Sequence, residues 1–148
     1  MDRRTAAREL AMQALYQLDV QGDGLLTQID RFFLTNCEDS MARQLASQWT
    51  RGTWEHIKEC DGFIAGAIRK WQLSRLSQVD RSILRLSVYQ LKFCCDMPPK
   101  AVINEAIEMA KKYSTESSPG FVNAVLDAVL KSLDGNSQAG QDQQKGSC

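Results

Sequence analysis

A chain of 148 residues with 43% apolar content carries side chains for one core of ordinary size and little surplus for a second, so one domain is expected. Lys plus Arg balance Asp plus Glu at 18 each, which excludes a global field drawing the protein onto nucleic acid; any such attraction must come from local clustering. Five cysteines lack a Cys-x-x-Cys pair and stand beside one histidine, which argues against a metal centre. Their odd count, with an opening MDRRTAAREL that holds no apolar signal run, points to a reducing, cytoplasmic setting. Charges interrupt every apolar stretch short of a membrane span.

Ala7, Leu10, Ala11, Ala14, Leu15 and Leu18 recur at steps of three and four, which predicts a first helix with one buried face. Gly22-Asp23-Gly24 ends it, because two glycines beside an aspartate favour a turn. A second helix follows with Leu26, Ile29 and Phe33 inward, and Asn36 to Ser40 breaks the chain again, with Asp39 or Ser40 placed to cap what comes next. The third helix runs over Met41, Leu45, Trp49, Ile57, Ile64, Ile68 and Trp71, bent or interrupted if Gly52, Gly62 and Gly66, each costing up to ~1 kcal/mol relative to Ala, make themselves felt.

Ser77 and Asp80 resemble a capping box and open a fourth helix through Ile83, Leu84, Leu86, Val88 and Leu91, which Asp96-Met-Pro-Pro99 closes. A fifth helix places Ile103, Ala106, Ile107, Ala110 and Tyr113 on one side and pairs Glu108 with Lys112 on the other. Ser118-Pro119 starts a sixth, with Val122, Val125, Leu126, Val129 and Leu133 inward and a stop at Asp134-Gly135. The expected architecture is all-α, six to seven helices in a single domain over residues 1–133, followed by a polar, disordered tail over 134–148.

No Gly-rich phosphate loop, nucleophile elbow or His-Glu-x-x-His pair occurs, so no catalytic residue, cofactor or metal is expected and the chain reads as a binding protein. Charge is out of place at one point. Arg3, Arg4 and Arg8 sit against a lone Asp2 at the positive end of the first helix, where the dipole disfavours cations. Two readings compete there: phosphate binding, which arginine forks suit, and a frayed N-terminus with incidental arginines.

Four stretches together resemble the NusB family: AARELAMQALYQLD at 6–19, VDRSILRLSVYQL at 79–91, KAVINEAIEMAKKY at 100–113 and FVNAVLD at 121–127, in the family's order and spacing. The resemblance implies two packed helical bundles and a role in transcription antitermination. Its implied partners are boxA-type single-stranded RNA, the ribosomal protein NusE and, through them, an RNA polymerase antitermination complex. It moves Arg3, Arg4 and Arg8 toward RNA, adds Tyr16, and points to Ser117, Ser118 and Phe121 before the last helix, where free amides at a helix start can meet phosphate. Tyr16 and Phe121 fit core packing equally well. For NusE it implies Val79, Asp80 and Arg81, although Asp80 also has its capping role.

The sequence departs from the family's pattern at Thr5 and Ala6, where further arginines occur, at Gln90, where Glu is common, and at Ala124, where Gly is common. Three arginines on phosphates would give a log–log salt slope of about −2, at ~0.7 per phosphate on single strands. Alternatives are a protein-only adaptor, a homodimer of the kind some relatives form over the RNA face, and an RNA-modifying assembly, for which this chain holds no nucleotide-binding domain.

Overall fold

The computed structural model describes residues 2–68 and 76–139, and these are helical almost throughout. α1 (Arg3–Gln21) is followed by a short 3-10 turn (Asp23–Gln28), α2 (Ile29–Asn36), α3 (Ser40–Glu55), α4 (Ile57–Ile68), α5 (Gln78–Phe93), α6 (Pro99–Tyr113) and α7 (Ser118–Ala139). Trp71, assigned to the third predicted helix, and residues 140–148 of the expected tail lie outside the described residues.

The turns obey local chemistry. Gly22 takes φ +86°, the only glycine in the left-handed region among the described residues, and its amide closes α1 on the Leu18 carbonyl at 2.7 Å. Asp39 caps α3 by accepting from the Met41 amide at 3.0 Å. Pro99 opens α6, where its missing N–H costs nothing.

Packing divides the helices into two bundles. α1 to α3 form one and α4 to α7 the other, and α5 touches helices of both. A helix in that position has no solvent stripe to spare: Ser82, Ile83, Leu84, Leu86, Ser87, Val88 and Gln90 are all buried. Around it the core takes Leu10, Leu15 and Leu18 of α1, Ile29 and Phe33 of α2, Trp49 of α3, Ile64 of α4, Val102 and Met109 of α6, and Val122, Leu126 and Val129 of α7.

Four expectations are corrected. The long third helix is two, broken at His56 (φ −103°, ψ 25°) and not at Gly62 or Gly66, which lie inside α4. Its cause is tertiary: the His56 ring stacks on Phe93 of α5 at 4.2 Å. The buried face of α6 is turned from the one expected, with Val102, Ala106, Met109 and Ala110 inward and Ile103, Ile107 and Tyr113 only half-buried. Lys112 leaves Glu108 to Lys111 (3.3 Å) and reaches across to Glu9 of α1 at 3.0 Å. Finally, α7 passes through Asp134-Gly135. One glycine costs about 1 kcal/mol in a helix interior, and with no proline or left-handed residue there the signal is too weak to stop it.

Candidate functional site

The residues singled out above fall on two ends of α1, and the structure gives each a different standing. Arg3 and Arg4, at the helix start, have half-exposed side chains. Arg3 donates from Nε to Asp39 Oδ2 at 2.8 Å, an exposed pair that raises its pKa through the hydrogen bond and the nearby charge. Arg4 lies 3.9 Å from Asp96 Oδ2, too long for a strong contact, so its guanidinium is the more available of the two. No side chain caps the first turn and no acid sits in it, so both cations stand in the field of the free helix amides.

Arg8 does not belong with them. Its side chain is 5% exposed and points inward. Nε donates to Gln90 Oε1 at 3.3 Å, Nη2 to Met97 Sδ at 3.5 Å, and the guanidinium carbon sits 5.6 Å from the Trp49 ring centre. The carboxylate that faces it, Glu105, is 3.8 Å away and is itself held by the Thr5 hydroxyl at 2.9 Å. Burial lowers the Arg8 pKa, with Glu105 opposing. The expected RNA contact therefore has no access: one turn beyond Arg4 along the same side of α1, this position lies under α3, α5 and α6.

At the other end, α1 meets both α6 and α5. Gln13 donates to the Tyr113 hydroxyl at 3.5 Å, Tyr113 in turn donates to Glu9 at 2.6 Å, and Asp19 accepts from Arg81 Nη2 at 2.7 Å and from Arg85 Nη1 at 3.2 Å. Tyr16 lies three residues from Gln13 and three from Asp19, on the same face and half-buried, so it stands between the end of α6 and the start of α5. Arg81, expected on a partner surface, is 13% exposed and committed to Asp19; Arg85 completes the group with a two-pronged contact to Asp61 at 2.7 and 2.9 Å. This charge cluster ties α1, α4 and α5 together. Val79 and Asp80 are half-buried.

Asp80 is the centre of the turn between α6 and α7. Its amide donates to Ser77 Oγ at 3.0 Å, which is the cap expected. Its carboxylate, however, does not turn back as in a capping box: Oδ1 accepts from Ser114 Oγ at 2.6 Å and Oδ2 from Ser118 Oγ at 3.0 Å. Ser118 is consequently 2% exposed and cannot itself reach RNA. Of the amides expected to be free there, two are engaged and one is missing, while that of Gly120 makes no hydrogen bond among the described residues. Ser118 N–H donates to the Thr115 carbonyl, Phe121 N–H to the Ser117 carbonyl, and Pro119 has none. Ser117 is exposed, and Phe121 is half-buried against the core at the edge of a cavity of about 380 Å³ that Asp80 also lines.

One residue pair was missed by sequence reasoning. Lys111 and Lys112, read as an ordinary solvated face, carry half-exposed ammonium groups on α6 beside the middle of α1, between the Arg3–Arg4 end and the Tyr16 end. Only the Lys112–Glu9 contact, 103 residues apart in sequence, places them there. Among the described residues no group of three or more His, Cys, Asp or Glu is arranged to hold a metal ion, and no helix is long and apolar enough to cross a membrane.

Residues 5–131 match the NusB family. The chain belongs to it. A NusB transcription antitermination protein from Anaeromyxobacter dehalogenans is 45% identical over 132 residues, covering 88% of this chain and 92% of that one, and another from Geobacter sulfurreducens is 42% identical over 135 residues, covering 90% and 97%. Among solved structures, NusB of T. maritima superposes with a TM-score of 0.77 at 36% identity, covering 88% and 92% of the two chains. A NusB solved with NusE in complex with double-stranded RNA superposes with a TM-score of 0.80 at 30% identity, covering 89% of this chain and 98% of that one. The two-bundle NusB architecture expected from the sequence is the one observed.

Proposed function

We propose that this chain is a non-enzymatic transcription antitermination factor of the cytoplasm that joins the ribosomal protein NusE to hold a boxA-type RNA and promote read-through by RNA polymerase. The observation that carries this reading is the solved relative of the same fold bound at once to NusE and to RNA, matched over 98% of its length. Phosphates meet Arg3 and Arg4 at the start of α1, with Lys111 and Lys112 continuing the cationic path along α6. The path leads to Tyr16, Ser117 and Phe121 at the far end, where an unpaired base can stack or be hydrogen-bonded. Partner contact falls on Val79 and Asp80 at the start of α5, beside that end, with Arg81 holding the surface in shape. Arg8 and Ser118 support the site from inside.

RNA in the solved relative is double-stranded, whereas base recognition through Ser117 and Phe121 needs bases outside a helix, because the A-form major groove is closed to side chains. A transcription reaction tests the function. Added with NusE and the remaining elongation factors, the protein raises terminator read-through on a template carrying boxA and not on one with boxA scrambled; equal read-through on both templates contradicts the reading.

A further inference from the structure

We infer that Asp80 is a positioning residue for the α6–α7 turn: anchored on α5, its carboxylate fixes Ser114 and Ser118 so that Ser117 and Phe121 face RNA in one arrangement, and the turn makes no phosphate contact. The inference rests on the RNA-binding reading above.

Proton bookkeeping shows how complete the latch is. Ser114 and Ser118 each have one hydroxyl proton, and both are spent on Asp80 at 2.6 and 3.0 Å. Ser118 Oγ then accepts from Thr115 Oγ1 at 2.8 Å, so the 2.9 Å approach of Ser114 to Ser118 carries no proton of its own. Ser117, 3.4 Å from Thr115 and like it exposed, keeps a hydroxyl that takes no part in the latch to Asp80. Because Asp80 sits in the first turn of α5, capped by Ser77, the acceptor is fixed to a backbone 34 and 38 residues distant from the serines it holds. Bonds to a charged acceptor are the stronger kind, which suits a turn that must keep its shape before a ligand arrives.

Electrostatics decides what the turn can touch. A carboxylate at the start of α7 already answers the positive end of that helix, and exposed Glu116 adds a second negative charge beside it. The Ser118 and Phe121 amides already donate within the turn, and a phosphate brought to the amide left without a bond, that of Gly120, would meet like charge there. Neutral contacts remain: the Ser117 hydroxyl to a ribose or base edge, and the Phe121 ring to a base.

The test uses the full chain with NusE and a fluorescein-labelled boxA-type RNA oligonucleotide, comparing the wild type with the double variant Ser114→Ala/Ser118→Ala and with Ser118→Thr. Both changes leave the residues of α5 themselves in place. We expect the double variant to weaken RNA binding roughly three- to tenfold, as the loss of bonds to a charged group implies, and Ser118→Thr to stay within about twofold of the wild type. Affinity for NusE and the log–log salt slope stay unchanged, and amide exchange at residues 115–118 quickens in the double variant without loss of global protection. Unchanged RNA affinity in the double variant overturns the inference, as does a slope that drops by about 0.7, the mark of a phosphate held at the turn. A wild-type complex that fails to prefer boxA over a scrambled oligonucleotide overturns the RNA reading instead, and the inference with it.

Discussion

Arg8 sits where α1, α3, α5 and α6 converge, and its neighbours only half satisfy it. Gln90 Nε2 is buried with no hydrogen-bond partner, while Gln90 Oε1 takes the Arg8 Nε proton at 3.3 Å. A carboxylate at position 90 would replace the stranded amide with a second acceptor and give the guanidinium a charge partner. Gln90→Glu is therefore expected to stabilise the protein by about 1–2 kcal/mol in urea unfolding, and Arg8→Ala to destabilise it by about 2–4 kcal/mol with the RNA salt slope unchanged. A lower slope for Arg8→Ala would return that residue to the RNA surface. Two thiols, buried Cys60 and half-buried Cys94, give a pH signature. Burial, aided by Asp61 and Glu59, pushes Cys60 up to about 12, and burial with Asp96 pushes Cys94 up to about 11. Both folded values lie above the ordinary 9.0, so their contribution is fully present below pH 9 and is lost as pH rises from 9 toward 11 and 12. Cys94→Ser should flatten the fall of the unfolding free energy from urea titrations between pH 9 and 10.5 by on the order of 1 kcal/mol, and identical slopes in the two proteins would contradict this.

Each helix was written in its own apolar spacing, because an amphipathic period needs no knowledge of what lies across the interface. The α3–α4 break was not, since its cause is the stack of His56 on Phe93 and, one turn back, the approach of Tyr89 to Gly52. A Cβ at Gly52 would run into the Tyr89 ring and hydroxyl, with Cε1 at 2.7 Å. Gly52→Ala would gain up to ~1 kcal/mol of helix propensity at an open position; here it should instead destabilise by about 1–2 kcal/mol, because the ring must leave its stack with Phe93, and Tyr89→Leu should reverse the sign. Thermal melts of Gly52→Ala, Tyr89→Leu and the double variant check both signs. The rotated face of α6 has a similar origin: Val102 and Met109 are as apolar as Ile103 and Ile107, and only the neighbouring helices choose between them. The resemblance named candidate site residues, but their surroundings were not legible. Asp80 reads as a cap in its own helix, and its serines lie too far along the chain for any local pattern to reveal.

Across the whole molecule α1 is the rule along which the proposed binding surface is laid out. At 1.5 Å per residue, Arg4 and Tyr16 stand about 18 Å apart, with the lysines of α6 between them. Cations cluster toward one end and neutral hydroxyl and aromatic groups toward the other, so affinity and base preference should be separable by mutation. Net charge could not have shown this, since the whole chain sums to zero. The most direct test is the affinity of a boxA-type single strand, of its scrambled control and of a duplex of the same sequence, measured with and without NusE across a salt series. The account predicts that NusE tightens binding of the boxA single strand selectively, and that Arg3→Ala/Arg4→Ala lowers the log–log slope by about 1.4, at ~0.7 per phosphate. Binding that is indifferent to RNA sequence in the presence of NusE, or a slope untouched by the loss of both arginines, would contradict it.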